Sequence, residues 1–292
     1  MILNIADILS ERALEIERAL EGCFDPSDTS TLTEAMRYAL LGGGKRIRAF
    51  LTLSFAEMFG GCAEAAMPYA CAIEMVHAYS LIHDDLPCMD DDAMRRGKLS
   101  CHKKFGEAIA LLAGDSLLTL AFRTVAANST VSDRSVRRAT EALSNLAGYH
   151  GMCRGQEIDI LHEALSYDDL RKLHSLKTGA LIEAACLLGV FAANDTPTEE
   201  TLRRIKDYAQ NLGLAFQIHD DILDVTSSTE ELGKPVGSDE RNDKRTVTSF
   251  MGLDAAMDEE YRVTRLAIDA VSEYPGSDVL SQLAIWLMSR KK

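Results

Sequence analysis

The chain predicts an all-α fold: one large helical bundle with one or two central buried helices, forming a single domain over residues 1–292. Three observations carry this. Apolar residues recur at helical spacing almost throughout, and runs that alternate apolar with polar, as a half-buried strand would, are missing. There are only six prolines, while Ala and Leu abound, a composition that favours helix. Breaks between the periodic stretches are few and short, and with 47% hydrophobic residues there is enough apolar side chain for a sizeable core.

Along the chain, "NIADILSERALEIERAL" is amphipathic and no basic segment precedes it, so it is expected to be a helix and not a secretion signal. "EGCFDPSDTST" breaks the pattern, and Thr31 with Glu34 after it has the form of a capping box opening the next helix. "LGGGKR" and "FGGCAEAAMP" are the next breaks. Stretches 106–127 and 176–193 are apolar on most faces, which predicts buried helices. Asp115 and Glu183 interrupt them, so neither is expected to span a membrane. Ser166 with Asp169 is a second capping box, and "YDD" at 167–169 reads as helix-start charge. "GKPVGSDERNDK" and "EYPGSD" are the last breaks.

The formal net charge of −14 argues against nucleic acid or an anionic membrane as the main partner. The seven cysteines include no C-x-x-C pair, which suits a reducing, cytoplasmic setting without disulfides. No stable membrane association is expected.

Against this background "HDDLPCMDDD" at 83–92 stands out, because it places five aspartates in one short segment. Two carboxylates 4 Å apart repel by about 4 kcal/mol at an effective dielectric near 20. A second segment, "QIHDDILDV" at 217–225, repeats the grammar: an apolar helical run, then His-Asp-Asp. Asp220 and Asp224 are four apart and share a helix face. In the first segment Pro87 does not fit a helix interior, so the chain is expected to leave the helix and curl Asp90 back towards Asp84. Two carboxylate clusters at helix ends suit a hard cation such as Mg²⁺, which takes oxygen ligands and is completed by water and phosphate.

Cations to match a phosphate ligand are present. "GGGKRIR" supplies Lys45 and Arg48 on one face, with Arg46 pointing elsewhere. Its glycines let backbone N–H groups approach an anion. No strand precedes it and Arg46 stands where a Walker loop needs Ser or Thr, so it is not a P-loop. "RRG" at 95–97 follows the first acidic cluster. Lys177 lies in an apolar helix, where it is costly unless paired. Lys234 and Lys244 follow the second cluster.

Rival readings fit less well. "EMVH" at 74–77 has the Glu-x-x-His form of di-iron bundles, which need two copies, and "DILH" at 159–162 is only Asp-x-x-His. A metal phosphohydrolase would need a further histidine pair. His102, His150, His162 and His174 read as structural or surface residues.

From about residue 30 to 250 the chain resembles the trans-isoprenyl diphosphate synthases, the polyprenyl synthetase family. "GGGKRIR", "HDDLPCMDDDAMRRGK", "KTG", "FQIHDDILD" and "GKPVGSD…DKRT" stand in the family's order. The resemblance implies helices around a deep central apolar cavity, a homodimer, three Mg²⁺ ions, and isopentenyl diphosphate and allylic diphosphates as substrates. It assigns Asp84 and Asp90 as metal ligands, with Asp85 and Asp91 as lesser candidates, and Asp220 with support from Asp221 and Asp224. Asp92 reads as a solvated charge. Lys45, Arg48, His77 and Arg96 match the isopentenyl diphosphate pocket. Arg95, Lys177 and Lys234, with Lys244, match cations on the allylic diphosphate. Thr178 and Gln217 match the polar groups beside the reacting carbon. Gly233, Gly237 and Asp239 fit the remaining loop, with Thr246 in its continuation, and the 233–244 stretch is a candidate lid. "RAF" at 48–50 departs from the commoner Arg-Pro.

The "DDLPCMD" spacing resembles the bacterial farnesyl and plant-type geranylgeranyl branches. Tyr79, five residues before Asp84 and beside Ser80, is expected to floor the cavity, as an aromatic there does in short-chain farnesyl synthases. The expected activity is therefore farnesyl diphosphate synthesis. A geranylgeranyl synthase is the alternative, and a non-catalytic synthase subunit or a terpene cyclase fits less well because both acidic motifs are kept.

Overall fold

The computed structural model describes residues 4–226 and 245–290. The chain divides into two compact units: Met1–Ala142 with Leu187–Thr196, and Leu143–Cys186 with Pro197–Lys292.

In the first unit, α1 (Ile5–Glu21) is capped by Asn4, whose side chain accepts from the Ala6 amide, and it buries Ile5, Leu9, Ile16 and Leu20 as one stripe. α2 (Thr31–Leu40) starts one residue earlier than the capping-box reading implied. Ser30 is the cap and accepts from Thr33 N, while Asp28 accepts from the Thr33 hydroxyl at 2.7 Å. α3 (Ile47–Met58) and α4 (Ala63–Asp84) form the centre, where Leu51, Phe55, Tyr69, Ile73 and Met75 are fully buried. The leading part of this centre is closed by the end of α10 (Ala180–Ala193), where Gly189 lies so near α3 that a Cβ would fall 2.2 Å from the Thr52 carbonyl oxygen.

One element was not expected. β1 (Met94–Arg95) and β2 (Lys98–Leu99) form an antiparallel hairpin pairing Met94 with Leu99 and Arg95 with Lys98. Arg96 and Gly97 form its turn with φ of 52° and 75°, the two positive values of a type I′ turn. Strands of two residues carry no readable alternation, so only the Arg-Gly step could have announced them.

After α5 (Cys101–Phe105), α6 (Glu107–Ala126) corrects a second expectation. It is not enclosed: Leu111 and Leu112 are 47% and 50% exposed. By length and apolarity alone, Glu107–Ala126 and Tyr167–Ala193 would each reach across a bilayer, but 72% of the latter's most apolar window is buried inside the protein, against 33% for α6. An apolar composition on all faces shows that burial is favoured, not that this chain supplies the cover.

The second unit contains α8 (Met152–Ile160), α9 (Tyr167–His174), a π-helical turn (Ser175–Gly179) and the first half of α10. It continues with α11 (Glu199–Thr226), α12 (Val247–Met251), α13 (Leu253–Val271) and α14 (Asp278–Ser289), while α7 (Asp133–Ala147) runs into it from the first unit. Ser166 and Asp169 form the expected reciprocal capping box. Leu170, Leu173, Leu214, Ile218, Ile222 and Val263 pack into its core.

Candidate active site

In the first unit the acidic segment does what Pro87 predicted. α4 ends at Asp84, and the Asp90 amide donates to the Asp84 carbonyl at 2.9 Å, turning the chain back on the helix end. Asp84 is half-buried and Asp90 is exposed. Asp85, a lesser candidate for metal, pairs with Arg95: it is 2% exposed and accepts from Arg95 Nε at 3.0 Å and from Nη2. Burial raises the Asp85 carboxyl pKa and Arg95 opposes that rise. Asp91 accepts from Lys103 at 3.3 Å, and Asp92 lies 3.5 Å from Arg95.

Beside this turn is a nest of guanidinium groups. Burial, then Arg48, Arg96, Arg46 and Arg95, hold the His77 pKa well below the ordinary histidine value, so His77 is neutral. Arg46 differs from its neighbours, as its spacing implied. It is 5% exposed, pairs with Glu74 and Glu17 at 3.2 Å each, and donates to the Leu40 carbonyl at 2.8 Å. Arg48 has a buried Nε with no hydrogen-bond partner among the described residues. The glycines of "GGGKR" serve Arg96: its Nη1 donates to the Gly43 carbonyl, and a Cβ on Gly44 would meet the guanidinium at 3.0 Å. Lys45 is exposed in the same loop. Arg95 and Arg96 also line a cavity with Tyr38, Ala78, Leu81 and Asp85. Tyr79 is 8% exposed and stacks edge-on with His83, ring centroids 5.7 Å apart. The Ser80 hydroxyl donates to the His77 carbonyl at 2.9 Å.

In the second unit Lys177 has the partner its apolar setting demanded: its Nζ donates to Asp159 at 2.5 Å. It sits in the π-helical turn, a feature frequent at functional sites, next to buried Thr178. On α11, Gln217 is half-buried. Asp220 pairs with Arg290 at 2.5 Å, and that guanidinium lies 3.8 Å from the Phe216 ring. Asp221 accepts from the Val247 amide at 2.6 Å, capping α12, and Asp224 is 4% exposed. Lys234 and Lys244, with Gly233, Gly237 and Asp239, lie outside the described residues.

Sequence reasoning missed Glu74, Asp159 and Arg290. Glu74 and Asp159 were visible only as halves of unconvincing histidine motifs. Arg290 has no local signal, because its partner is far away in the chain.

Among the described residues no three Asp, Glu, His or Cys side chains gather tightly enough to enclose a cation unaided. The donors on offer are carboxylate oxygens, of which those of Asp90 and Asp220 are exposed, a hard-oxygen chemistry that fits Mg²⁺ completed by water and phosphate. An all-α frame presenting aspartates beside an arginine nest is the architecture of the isoprenoid-synthase class.

Comparison with known proteins agrees. The Polyprenyl synthetase family model matches residues 29–275. The chain is 38% identical to the farnesyl diphosphate synthase of Haemophilus influenzae over 99% of both chains. It is 42% identical to heterodimeric geranylgeranyl pyrophosphate synthase large subunit 1 of Arabidopsis thaliana, over 92% of this chain and 74% of that one. The crystal structure of a FPP/GFPP synthase from Zymomonas mobilis superposes with a TM-score of 0.87 at 34% identity, covering 99% of this chain and 100% of that one. The chain belongs to the polyprenyl synthetase family and is a trans-prenyltransferase.

Proposed function

We propose that this prenyltransferase makes farnesyl diphosphate, adding isopentenyl diphosphate to dimethylallyl and then geranyl diphosphate. Tyr79 carries the reading of product length: a buried aromatic, pinned by His83, five residues before Asp84. A smaller residue there would leave room for a longer tail.

Asp84, Asp90 and Asp220 are the proposed Mg²⁺ ligands, with Asp224 in support; Asp85 and Asp221, engaged by Arg95 and by the Val247 amide, are ranked below them. When bound, up to three Mg²⁺ ions would neutralise charge growing on the departing diphosphate. Arg95, Lys177 and Lys234 act on that same charge, worth most where water is excluded. Arg48, Arg96 and Lys45 bind isopentenyl diphosphate, and neutral His77 adds no repulsion to the arginines around it. The Thr178 hydroxyl and Gln217 amide orient dipoles towards the allylic carbon. The released diphosphate takes the final proton. A cytoplasmic homodimer is proposed, supported by seven free cysteines and the exposed leucines of α6.

The test is incubation with Mg²⁺, isopentenyl diphosphate and either dimethylallyl or geranyl diphosphate, followed by product-length analysis. Farnesyl diphosphate from the native chain and longer products from Tyr79→Ala are expected. Geranylgeranyl diphosphate from the native chain would establish the other branch, and no elongation would leave only a non-catalytic subunit.

A further inference from the structure

The turn that carries Lys177 and Thr178 is a five-residue π-helix between α9 and α10. A π turn holds one residue more than an α turn and is intrinsically weak. If it relaxed, the residues beyond it would rotate by about 100°, one residue's share of an α-helical turn. Something must therefore hold it.

Two neighbours grip its backbone. On α8, Gly155 lies so close that a Cβ would fall 2.2 Å from the Lys177 amide nitrogen. On α11, a Cβ at Gly213 would fall 2.9 Å from Gly179 Cα. Between these contacts one side chain ties both ends of the turn. The Ser175 hydroxyl, at its start, donates to Gln210 Oε1. Gln210 Nε2 donates at 2.6 Å to Glu183, just beyond its end. Glu183 is 7% exposed, and a Cβ on Gly179 would lie 3.1 Å from the same Gln210 oxygen.

The chemistry of this brace is specific. Glu183 Oε2 accepts in this contact, so the group facing it must donate. The group facing the Ser175 hydroxyl accepts. An uncharged amide does both at once; a carboxylate at 210 would set two acceptors against each other, and an apolar residue would leave Glu183 buried without its donor.

We propose that Gln210 is a positioning residue of prenyl transfer, bracing the π turn so that Lys177 and Thr178 are presented to the allylic diphosphate. This rests on the assignment of Lys177 and Thr178 above. Gln210 itself touches no reacting atom; it acts through the turn.

The test uses the full chain with Mg²⁺ and measures kcat and separate KM values for geranyl diphosphate and isopentenyl diphosphate, beside thermal melting. Gln210→Glu is expected to raise the geranyl diphosphate KM by about tenfold and lower kcat, while the isopentenyl diphosphate KM stays within about twofold. The double variant Gln210→Glu with Glu183→Gln restores one donor facing one acceptor, and most of the loss should be recovered. Should Gln210→Glu fail to fold, Ser175→Ala removes one arm and should show the same substrate selectivity at smaller size. Equal loss towards both substrates without recovery in the double variant, or unchanged kinetics in Gln210→Glu, would overturn the proposal. Lys177→Met separates the two levels. If it leaves the geranyl diphosphate KM unchanged, the assignment of Lys177 fails and the brace with it; if it raises that KM while Gln210→Glu does not, only the brace fails.

Discussion

The two acidic motifs share the letters His-Asp-Asp and differ in their backbone. The first ends its helix: α4 stops at Asp84 and the Asp90 amide returns to the Asp84 carbonyl. The second stays helical, because α11 runs on to Thr226 and keeps Asp220 and Asp224 one turn apart. Pro87 makes the difference, since α11 has no proline at the matching place. Yet in both motifs the second aspartate is structural. Asp85 holds Arg95, and Asp221 holds the Val247 amide. Both histidines pack as well: His83 lies 3.1 Å from the Leu111 carbonyl against Gly114, and His219 bridges Glu260 and the Arg290 carbonyl. The motif therefore interleaves a structural pair with a pair proposed to face metal.

The sharpest break in that comparison is the removal of one metal-facing carboxylate from each motif. Asp84→Asn and Asp220→Asn should each cost about a thousandfold in kcat and raise the Mg²⁺ concentration needed for half-maximal rate. A variant that kept both values would remove its aspartate from the ligand set.

Acidification probes the neighbourhoods next. In the second unit, burial lowers the His174 pKa to about 4, with Asp159 opposing and Lys177 adding. The unfolded chain takes up that proton near pH 6.5, before the folded chain does. The histidine's contribution to stability is thus complete above pH 6.5 and drains away as pH falls towards 4, by up to about 3 kcal/mol. His77 acts in the same direction in the first unit. Urea midpoints at neutral and acid pH should converge partly in His174→Phe; an unchanged slope would show that His174 charges freely.

The structural pair should behave differently from the metal-facing pair. Asp85→Asn is expected to lower kcat by about tenfold through a loosened Arg95, leaving the Mg²⁺ requirement unchanged. Asp221→Asn should cost about 1 kcal/mol of stability, read from the urea midpoint, with little change in Mg²⁺ requirement. A shifted Mg²⁺ dependence in either would return that residue to the ligand set.

The smallest expected effect is at Arg290. Its guanidinium pairs with Asp220, a proposed metal ligand, so Arg290→Ala should lower the Mg²⁺ half-saturation by about threefold, at some cost in stability from lost packing on Phe216. No change would mean that Arg290 yields to the metal without cost.

Much of this was legible locally. Helix periodicity, the Ser166 cap, the return of Asp90 behind Pro87, and the need of Lys177 for a partner all follow from neighbours within a few residues, where spacing alone sets geometry. The Thr31 cap was misplaced by one residue because Ser30 and Thr31 have the same capping chemistry, and only the folded backbone distinguishes them. Asp85 and Asp221 could not be told from Asp84 and Asp220 by composition, since all are carboxylates in the same grammar.

The amino-acid sequence by itself determined an all-α chain, the family, and the order of its acidic and basic motifs, because these depend on period, order and charge. Tertiary structure decided which aspartate pairs with Arg95, that the glycine loop makes room for Arg96, that α6 leaves leucines uncovered, and that Asp159 and Gln210 contact the Lys177 turn. Those are relations between distant segments, set by burial and by which donor reaches which acceptor, and no local pattern encodes them.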